Sequence, residues 1–183
     1  MASSDAALSV VAYPRWDSVD LRAMHLYFTE PDSTLLDRVK PVLNDHARFK
    51  WNFSVDPHER RWNLFRHLFD THVARFGTEF FKGTWSVLHT AAVAMARCSA
   101  GGGAVNAANA EIFLAEFLPE ALQCPACKTH YMQALDSDPP PVGDTAALFE
   151  WGVRLHNAVN ARHYKPTLSM EDARLMYGMP SAS

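Results

Sequence analysis

Apolar residues at three- and four-residue spacing constrain the fold of this 183-residue chain more than any other feature. Between Glu79 and Cys98 the residues at this spacing are Phe81, Trp85, Leu88, Ala92 and Met95. An α-helix brings such positions onto one side, where they can pack into a core. Ser99 and the glycines at 101–103 then end the helix, because glycine is unfavourable in helix interiors. The repetition of this pattern along the chain predicts an all-α fold.

The first 76 residues differ from the rest of the chain. Alternating apolar stretches at 8–13 and 24–28 favour some extended structure, whereas N-cap residues and apolar spacing predict helices over about 32–44 and 57–76. We therefore expect residues 1–76 to form an N-terminal extension or small subdomain of mixed or helical structure. Its role is not indicated by the sequence.

Residues 77–180 are expected to form a second part, a helical bundle. Residues 107–118 are rich in alanine and apolar side chains, and a helix follows them through about Leu135. Asp144 is placed to cap the next helix, and Ser169 to cap a last short one. This region thus predicts four helices plus a short fifth. Short connections favour an antiparallel bundle, whose core can hold a cofactor between facing helices.

Composition limits the classes of partner. A formal net charge of -3 gives no bulk electrostatic reason to expect a nucleic acid or an anionic membrane. No apolar run approaches the roughly 18 residues that span a bilayer, and the first residues lack the pattern of a secretory signal. We therefore expect a protein made in the cytosol, with no nucleic acid bound and no membrane insertion.

The motif Cys124-Pro125-Ala126-Cys127 carries the clearest chemistry. Two sulfurs at this spacing reach each other where the backbone turns tightly, and proline in the first turn places that turn at a helix start. The helix N-terminus, Lys128 and His130 would then favour thiolate over thiol, so the pair is expected to be nucleophilic and redox-active. The third cysteine, Cys98, is expected to be a small buried side chain, or else to bridge two subunits.

Other interpretations of the cysteine pair stay open at this point. It could be a structural disulfide, or half of a zinc site completed by His130 and His156, although no second Cys-x-x-Cys is present. A thioredoxin-like site would need a preceding strand, where the sequence predicts helix and turn. Attachment of a c-type haem would need a histidine directly after Cys127, where Lys128 stands.

A second group of polar residues lies on predicted apolar helices. His156, Asn157 and Asn160 are close together on one helix, and Trp85 and His89 are one turn apart on another. Buried side chains of these types need hydrogen-bond partners, because leaving one unpaired costs on the order of 1–3 kcal/mol. Either a ligand or an internal polar network must satisfy them. Trp85 and His89 could likewise be core residues or a stacking wall for a heterocycle.

Three segments together resemble one known family. They are Trp85-Ser86-Val87-Leu88-His89-Thr90, Cys124-x-x-Cys127-x-x-His130-Tyr131 and Trp151-x3-Leu155-His156-Asn157-x-Val159-Asn160. In order and spacing they resemble the Erv/ALR FAD-linked sulfhydryl oxidases, over about residues 80–178. The resemblance implies a four-helix bundle plus a short fifth helix that holds FAD. Because a second, shuttling cysteine pair is missing and an N-terminal segment is present, the chain looks most like members encoded by large DNA viruses.

The resemblance also implies roles for individual residues. Cys124 and Cys127 would be the catalytic pair. The residues implied to bind FAD are Thr84, Trp85, His89, Cys127, His130, His156, Asn157, Val159, Asn160, Lys165 and Tyr177. No metal is implied. The family commonly has glycine at the position of Phe81, which leaves the FAD contacts near that position open.

The implied reaction is the oxidation of protein dithiols. A substrate thiolate attacks Cys124 through a mixed disulfide, Cys127 faces the flavin, and O2 finally accepts the electrons to give H2O2. Electrons enter directly at Cys124 or come from a separate, thioredoxin-like partner. The resemblance further implies a homodimer, located in the host cytoplasm or the virion, or alternatively in the mitochondrial intermembrane space. The competing hypothesis is a non-enzymatic zinc-binding or scaffolding helical protein.

Overall fold

The computed structural model describes residues 18–43, 55–74, 77, 79–100 and 104–179. Every regular element in these ranges is helical, which confirms the all-α prediction. The helices are α1 (Ser18–Thr29), α2 (Asp32–Leu43), α3 (Pro57–Ala74), α4 (Phe80–Ala100), α5 (Ala107–Glu111), a π-helical stretch (Ile112–Phe117), α6 (Leu118–Ala121), α7 (Pro125–Ser137), α8 (Thr145–Arg162) and α9 (Met170–Tyr177).

The bundle is formed by α4, the run from α5 through α6, α7 and α8, with α9 as the short fifth helix. Helices α4 and α8 make the most extensive contact, and α9 packs against both. The helix expected to continue to about Leu135 is interrupted, because Leu122 and Cys124 have extended backbones. Pro125 explains the interruption at Cys124, since a proline pushes the preceding residue out of the helical region.

A tyrosine fixes α7 against the π-helical stretch. The hydroxyl of Tyr131 donates to the carbonyl oxygen of Leu114 at 2.8 Å. Burial raises the pKa of Tyr131, so this hydroxyl keeps its proton. The bond holds the helix that begins at the cysteine pair in a fixed position on the bundle.

Helix α1 corrects one prediction. Residues 24–28, taken as an alternating apolar stretch of a mixed segment, lie inside α1. Met24, Tyr27 and Phe28 are all buried there, because α1 packs against α2, α3, α4 and α5. A helix covered on several sides loses its amphipathic period, and a short apolar run then cannot be told from a strand. The other such stretch, 8–13, lies outside the described residues.

The N-terminal helices share the hydrophobic core of the bundle. Phe65 of α3 and Trp151 of α8 belong to one continuous cluster of buried side chains. Buried Arg61 ties α3 to the end of α1 by donating to the carbonyl oxygens of Tyr27 at 2.8 Å and Glu30 at 2.7 Å, and it also pairs with Asp32. The division into parts 1–76 and 77–180 stays a prediction, while the described helices of both parts pack together.

A glycine permits the close approach of α3 and α4. A Cβ atom at Gly83 would lie 2.9 Å from the Cα of Val73, nearer than real Cβ contacts come. Trp85 follows two residues later, so this contact sets the position of the α4 turn that carries it.

None of the described helices is long and apolar enough to cross a membrane. The prediction for the Cys98 side chain lies outside the described residues.

Candidate functional site

The two close cysteines form a disulfide at the start of α7. Cys124 is the N-cap, Pro125 occupies the first turn, and the Cα atoms of Cys124 and Cys127 are 5.1 Å apart. Cys124 Sγ accepts a hydrogen bond from the backbone N–H of Cys127 at 3.2 Å. Both cysteines are half-buried. A thiolate at this position is stabilised by the helix N-terminus as well as by that N–H group.

The charged neighbours of the disulfide are arranged less simply than the sequence suggested. Lys128 forms an ion pair with Glu120, so its charge is shared with a carboxylate. His130 lies on the exposed side of α7. The helix N-terminus is therefore the chief described source of positive potential at the sulfurs.

A stack of rings joins α4 to α8. Trp85 and His156 are parallel within 7° with ring centroids 4.2 Å apart, and both are half-buried. Rings in direct contact leave no space for a third ring between them. A planar heterocycle would therefore pack on an outer face of this pair, at the usual stacking distance.

His89 lies behind the stack. It is 1% exposed, its Nε2 is 3.2 Å from Nδ1 of His156, and its ring centroid is 4.5 Å from that of Tyr177. Phe149 also contacts it, at 5.9 Å between ring centroids. The structure thus brings Trp85, His89, His156 and Tyr177 together from α4, α8 and α9. We call these four residues the ring cluster.

Both imidazoles of the ring cluster are neutral at pH 7. Burial lowers the pKa of His89 to about 3, with a smaller contribution from His156. Burial, with a smaller contribution from the charge of Lys165, lowers the pKa of His156 to about 4. Lys165 therefore acts on the cluster through its charge, although its own side chain is exposed.

The hydrogen bond between the two histidines favours one tautomer. Nδ1 of His89 is buried and has no hydrogen-bond partner among the described residues. An unpaired buried N–H group is rarer than an unpaired acceptor, which places the proton of His89 on Nε2. His89 then donates to Nδ1 of His156, and His156 carries its own proton on Nε2. The outer imidazole is thereby fixed as a donor at Nε2.

Asn157 has a structural partner. Its Nδ2 donates to the carbonyl oxygen of Leu168 at 2.8 Å, and its Oδ1 accepts from the backbone N–H of Leu168 at 2.9 Å. This pair of bonds holds the segment that connects α8 to α9. Both polar atoms of the Asn157 side chain thus have a partner within the protein.

The remaining predicted residues lie on the same elements. Thr84 is buried one residue before Trp85, and its hydroxyl donates to the carbonyl oxygen of Phe80 at 3.1 Å. Val159 and Asn160 are half-buried near the end of α8, where the Asn160 carbonyl oxygen accepts from the Lys165 N–H at 2.9 Å. The cysteine pair, in contrast, is at the start of a different helix, α7.

Two features of the cluster were missed by sequence reasoning. Phe149 lies two helical turns before His156, and this spacing could have placed it on the same face. The role of Leu168 had no signal, because it acts through its backbone. In the described ranges, no three His, Cys, Asp or Glu residues come together in a way that could hold a metal ion.

Comparison with known proteins identifies the family. A family model described as Erv1/Alr matches residues 82–177, more than half of the chain, and this span contains both the disulfide and the ring cluster. No curated protein matches the chain, and no solved structure does. The matched family is generally one of FAD-linked sulfhydryl oxidases. The chain belongs to the Erv1/Alr family.

Proposed function

We propose that this protein is an FAD-dependent thiol oxidase that forms disulfides in protein dithiols through Cys124 and Cys127. The observation that carries the proposal is the half-buried Cys124–Cys127 disulfide at the N-terminus of α7, inside the span that the family model matches. Such a disulfide is open to attack by a thiolate and is held where a thiolate product is stabilised.

The described residues fit FAD. The Trp85–His156 pair offers a half-buried aromatic face, and His156 offers a fixed, neutral donor at Nε2 beside it. The residues that would hold the cofactor are Thr84, Trp85, His89, Cys127, His130, His156, Asn157, Val159, Asn160, Lys165 and Tyr177. The chemistry that FAD would supply when bound is redox chemistry: it can take two electrons from the dithiol and transfer them to O2, which yields H2O2.

The protein's own sulfurs perform the exchange. A substrate thiolate attacks Cys124 Sγ, the Cys124–Cys127 bond breaks, and Cys127 leaves as a thiolate. The second substrate thiolate then attacks the substrate sulfur of the mixed disulfide and expels Cys124. The substrate has lost two electrons and two protons, and the cysteine pair has gained the two electrons.

The N-cap position suits Cys124 for the second step. A thiol of lower pKa is a better leaving group, and the Cys127 N–H and the helix N-terminus both stabilise the Cys124 thiolate. Cys124 is therefore the better leaving group when the oxidised substrate is released. In this proposal Cys124 exchanges with the substrate, and Cys127 is the sulfur that would face the cofactor.

Several wider features are proposed with the reaction. The sequence has no second Cys-x-x-Cys, so electrons would come directly from dithiol substrates or from a separate thioredoxin-like protein. A homodimer and a viral source, with the protein in the host cytoplasm or virion, are parts of the same proposal. The mitochondrial intermembrane space is the alternative location.

The deciding experiment is a visible absorption spectrum of the purified protein, recorded before and after dithiothreitol is added in air. We expect a flavin band that bleaches with the reductant and returns as O2 is consumed and H2O2 appears. A colourless protein that contains stoichiometric zinc and does not oxidise dithiothreitol would support the zinc-binding or scaffolding hypothesis instead.

A further inference from the structure

An open cavity of about 350 Å³ lies between α3 and the run from the π-helical stretch into α6. We call it the α3 pocket. Its lining residues are His58, Glu59, Trp62, Glu116, Phe117 and Glu120. None of them belongs to the cofactor residues proposed above, and three come from the N-terminal part of the chain.

The walls of the α3 pocket are aromatic. The ring of Phe117 packs edge-on against both Trp62 and His58, each at 5.1 Å between centroids. The guanidinium of Arg66 already lies over the Trp62 ring at 5.7 Å. An indole in this environment attracts cations, because its face carries negative charge density.

The rim of the α3 pocket is acidic. Three glutamates line it: Glu120 forms an ion pair with Lys128, Glu116 lies 2.8 Å from the ring of His58, and Glu59 stands one residue after His58 on α3. Glu59 and Glu116 are both exposed. Aromatic walls beneath a carboxylate rim are complementary to a side chain with an apolar stem and a cationic end, such as arginine or lysine.

The α3 pocket is next to the redox disulfide. Glu120 on its rim pairs with Lys128, and the backbone N–H of Lys128 donates to the Cys124 carbonyl oxygen at 3.0 Å. One residue therefore connects the pocket rim with the cysteine that the substrate attacks. The side chain of Lys128 spans the gap between the pocket rim and the start of α7, and this link is the reason to consider one substrate at both places.

We propose that the α3 pocket binds a basic side chain of the protein substrate while the substrate dithiol reacts at Cys124. This inference rests on the proposed thiol oxidase function and adds a substrate class to it: dithiol proteins with arginine or lysine near the reactive cysteines. The N-terminal helices thereby contribute to substrate choice, through α3.

The first test uses peptide substrates. One set carries a Cys-x-x-Cys pair with a single arginine at increasing distance from it, and a matched set has glutamine in place of that arginine. We expect a higher kcat/KM for the arginine peptide at one or more distances, by ~5-fold, which is the scale of an exposed charge pair plus a cation–π contact. The preference should shrink as salt is added.

The second test changes the pocket. The double variant E59Q/E116Q removes two rim charges and keeps the Glu120–Lys128 ion pair, so the electrostatics at the disulfide stay as they are. The control double variant D37N/D136N removes two exposed carboxylates from α2 and the end of α7. We expect the arginine preference to fall toward one in E59Q/E116Q and to persist in D37N/D136N.

A binding measurement separates this inference from the proposed function. Fluorescent peptides with both cysteines changed to serine cannot react, and anisotropy reports their affinity for the full chain. Tighter binding of the arginine peptide, weakened in E59Q/E116Q, supports binding of a basic side chain in the α3 pocket. Equal binding and equal kcat/KM for the two peptide sets would overturn the inference. Failure to oxidise dithiothreitol is a separate result, which would overturn the proposed function and with it the role of the pocket in substrate oxidation.

Discussion

The disulfide and the ring cluster are built in opposite ways. Cys124 and Cys127 are three residues apart, and a proline and one backbone N–H group are enough to orient them. The ring cluster combines residues from Trp85 on α4 to Tyr177 on α9. Apart from Trp85 and His89, its contacting rings are at least 67 residues apart in the sequence. One site depends on a single helix start, the other on the packing of three helices.

Because of this difference, substitutions at the disulfide should affect catalytic reactivity, whereas substitutions in the ring cluster should also affect folding stability. A change at a cysteine alters the sulfur chemistry and leaves the core packing in place. A change in the ring cluster removes core contacts together with the surface proposed for the cofactor, so cofactor retention and folding stability should change together. The predictions below test this separation, from the largest expected effect to the smallest.

The largest effect is expected at the disulfide. Either Cys124→Ser or Cys127→Ser should reduce turnover of dithiothreitol by ~1,000-fold or more, because both sulfurs are needed for the exchange. Both variants should keep their flavin band and lose at most about 2 kcal/mol of stability, since closing so short a loop restricts the unfolded chain less than closing a long one. Oxygen consumption and a thermal melt measure the two properties.

Cys98→Ser is the control for these variants, because it removes the third thiol from a different helix. It should keep wild-type turnover. Loss of activity in Cys98→Ser, or full activity in either variant of the pair, would contradict the assignment of the redox centre.

The second effect concerns the stack between α4 and α8. Trp85→Ala should weaken FAD retention by ~10- to 100-fold, because stacking of an aromatic side chain on a heterocycle contributes about 1–3 kcal/mol. Trp62→Ala is the control, since Trp62 is also half-buried and packs on other aromatic rings but lies on α3. Equilibrium dialysis of FAD compares them, and equal retention in the two variants would remove the stack from the cofactor site.

Local signals made much of the fold predictable. Asp144 and Ser169, predicted as caps, are the N-caps of α8 and α9, because a side-chain oxygen next to an unpaired backbone N–H group acts within a few residues. The helix start at the cysteine pair was predictable from Pro125, because proline favours the first turn of a helix. Helix α1 was not, since residues 24–28 owe their conformation to burial on several sides.

The ring cluster was predictable only in part. The residues themselves could be named from resemblance to the family, but their arrangement could not. No local sequence signal shows that His89 lies behind His156, or that the Asn157 side chain forms a hydrogen bond with the backbone of Leu168. These partners are fixed by how α4, α8 and α9 pack, and a backbone partner leaves no trace in the sequence.

The third effect is a pH dependence of stability. Unfolded histidines bind protons near pH 6.5, whereas burial lowers the folded pKa of His156 to about 4 and that of His89 to about 3. Between pH 6.5 and pH 4 the unfolded state therefore binds more protons, and the free energy of unfolding falls as the pH falls. The slope should be at most about 1.4 kcal/mol per pH unit for each histidine.

Urea denaturation across this pH range measures the slope, and two variants assign it. His89→Phe removes one buried imidazole and should make the dependence shallower. His163→Gln removes an exposed histidine just after α8 and should leave the slope as it is. A wild-type stability that is flat between pH 6.5 and pH 4 would show that the two imidazoles are not held neutral by the fold.

The smallest effect is expected at Asn157, where the difference between the two regions is sharpest. Asn157→Ala removes both bonds to Leu168 and should cost about 1–2 kcal/mol, while hydrogen exchange rises in the segment between α8 and α9. Tyr177 on α9 packs on His89, so loosening this segment should also weaken FAD retention. Exchange at the start of α7 should not change, because its bonds are local. Faster exchange at both sites would mean that the disulfide and the ring cluster depend on one another.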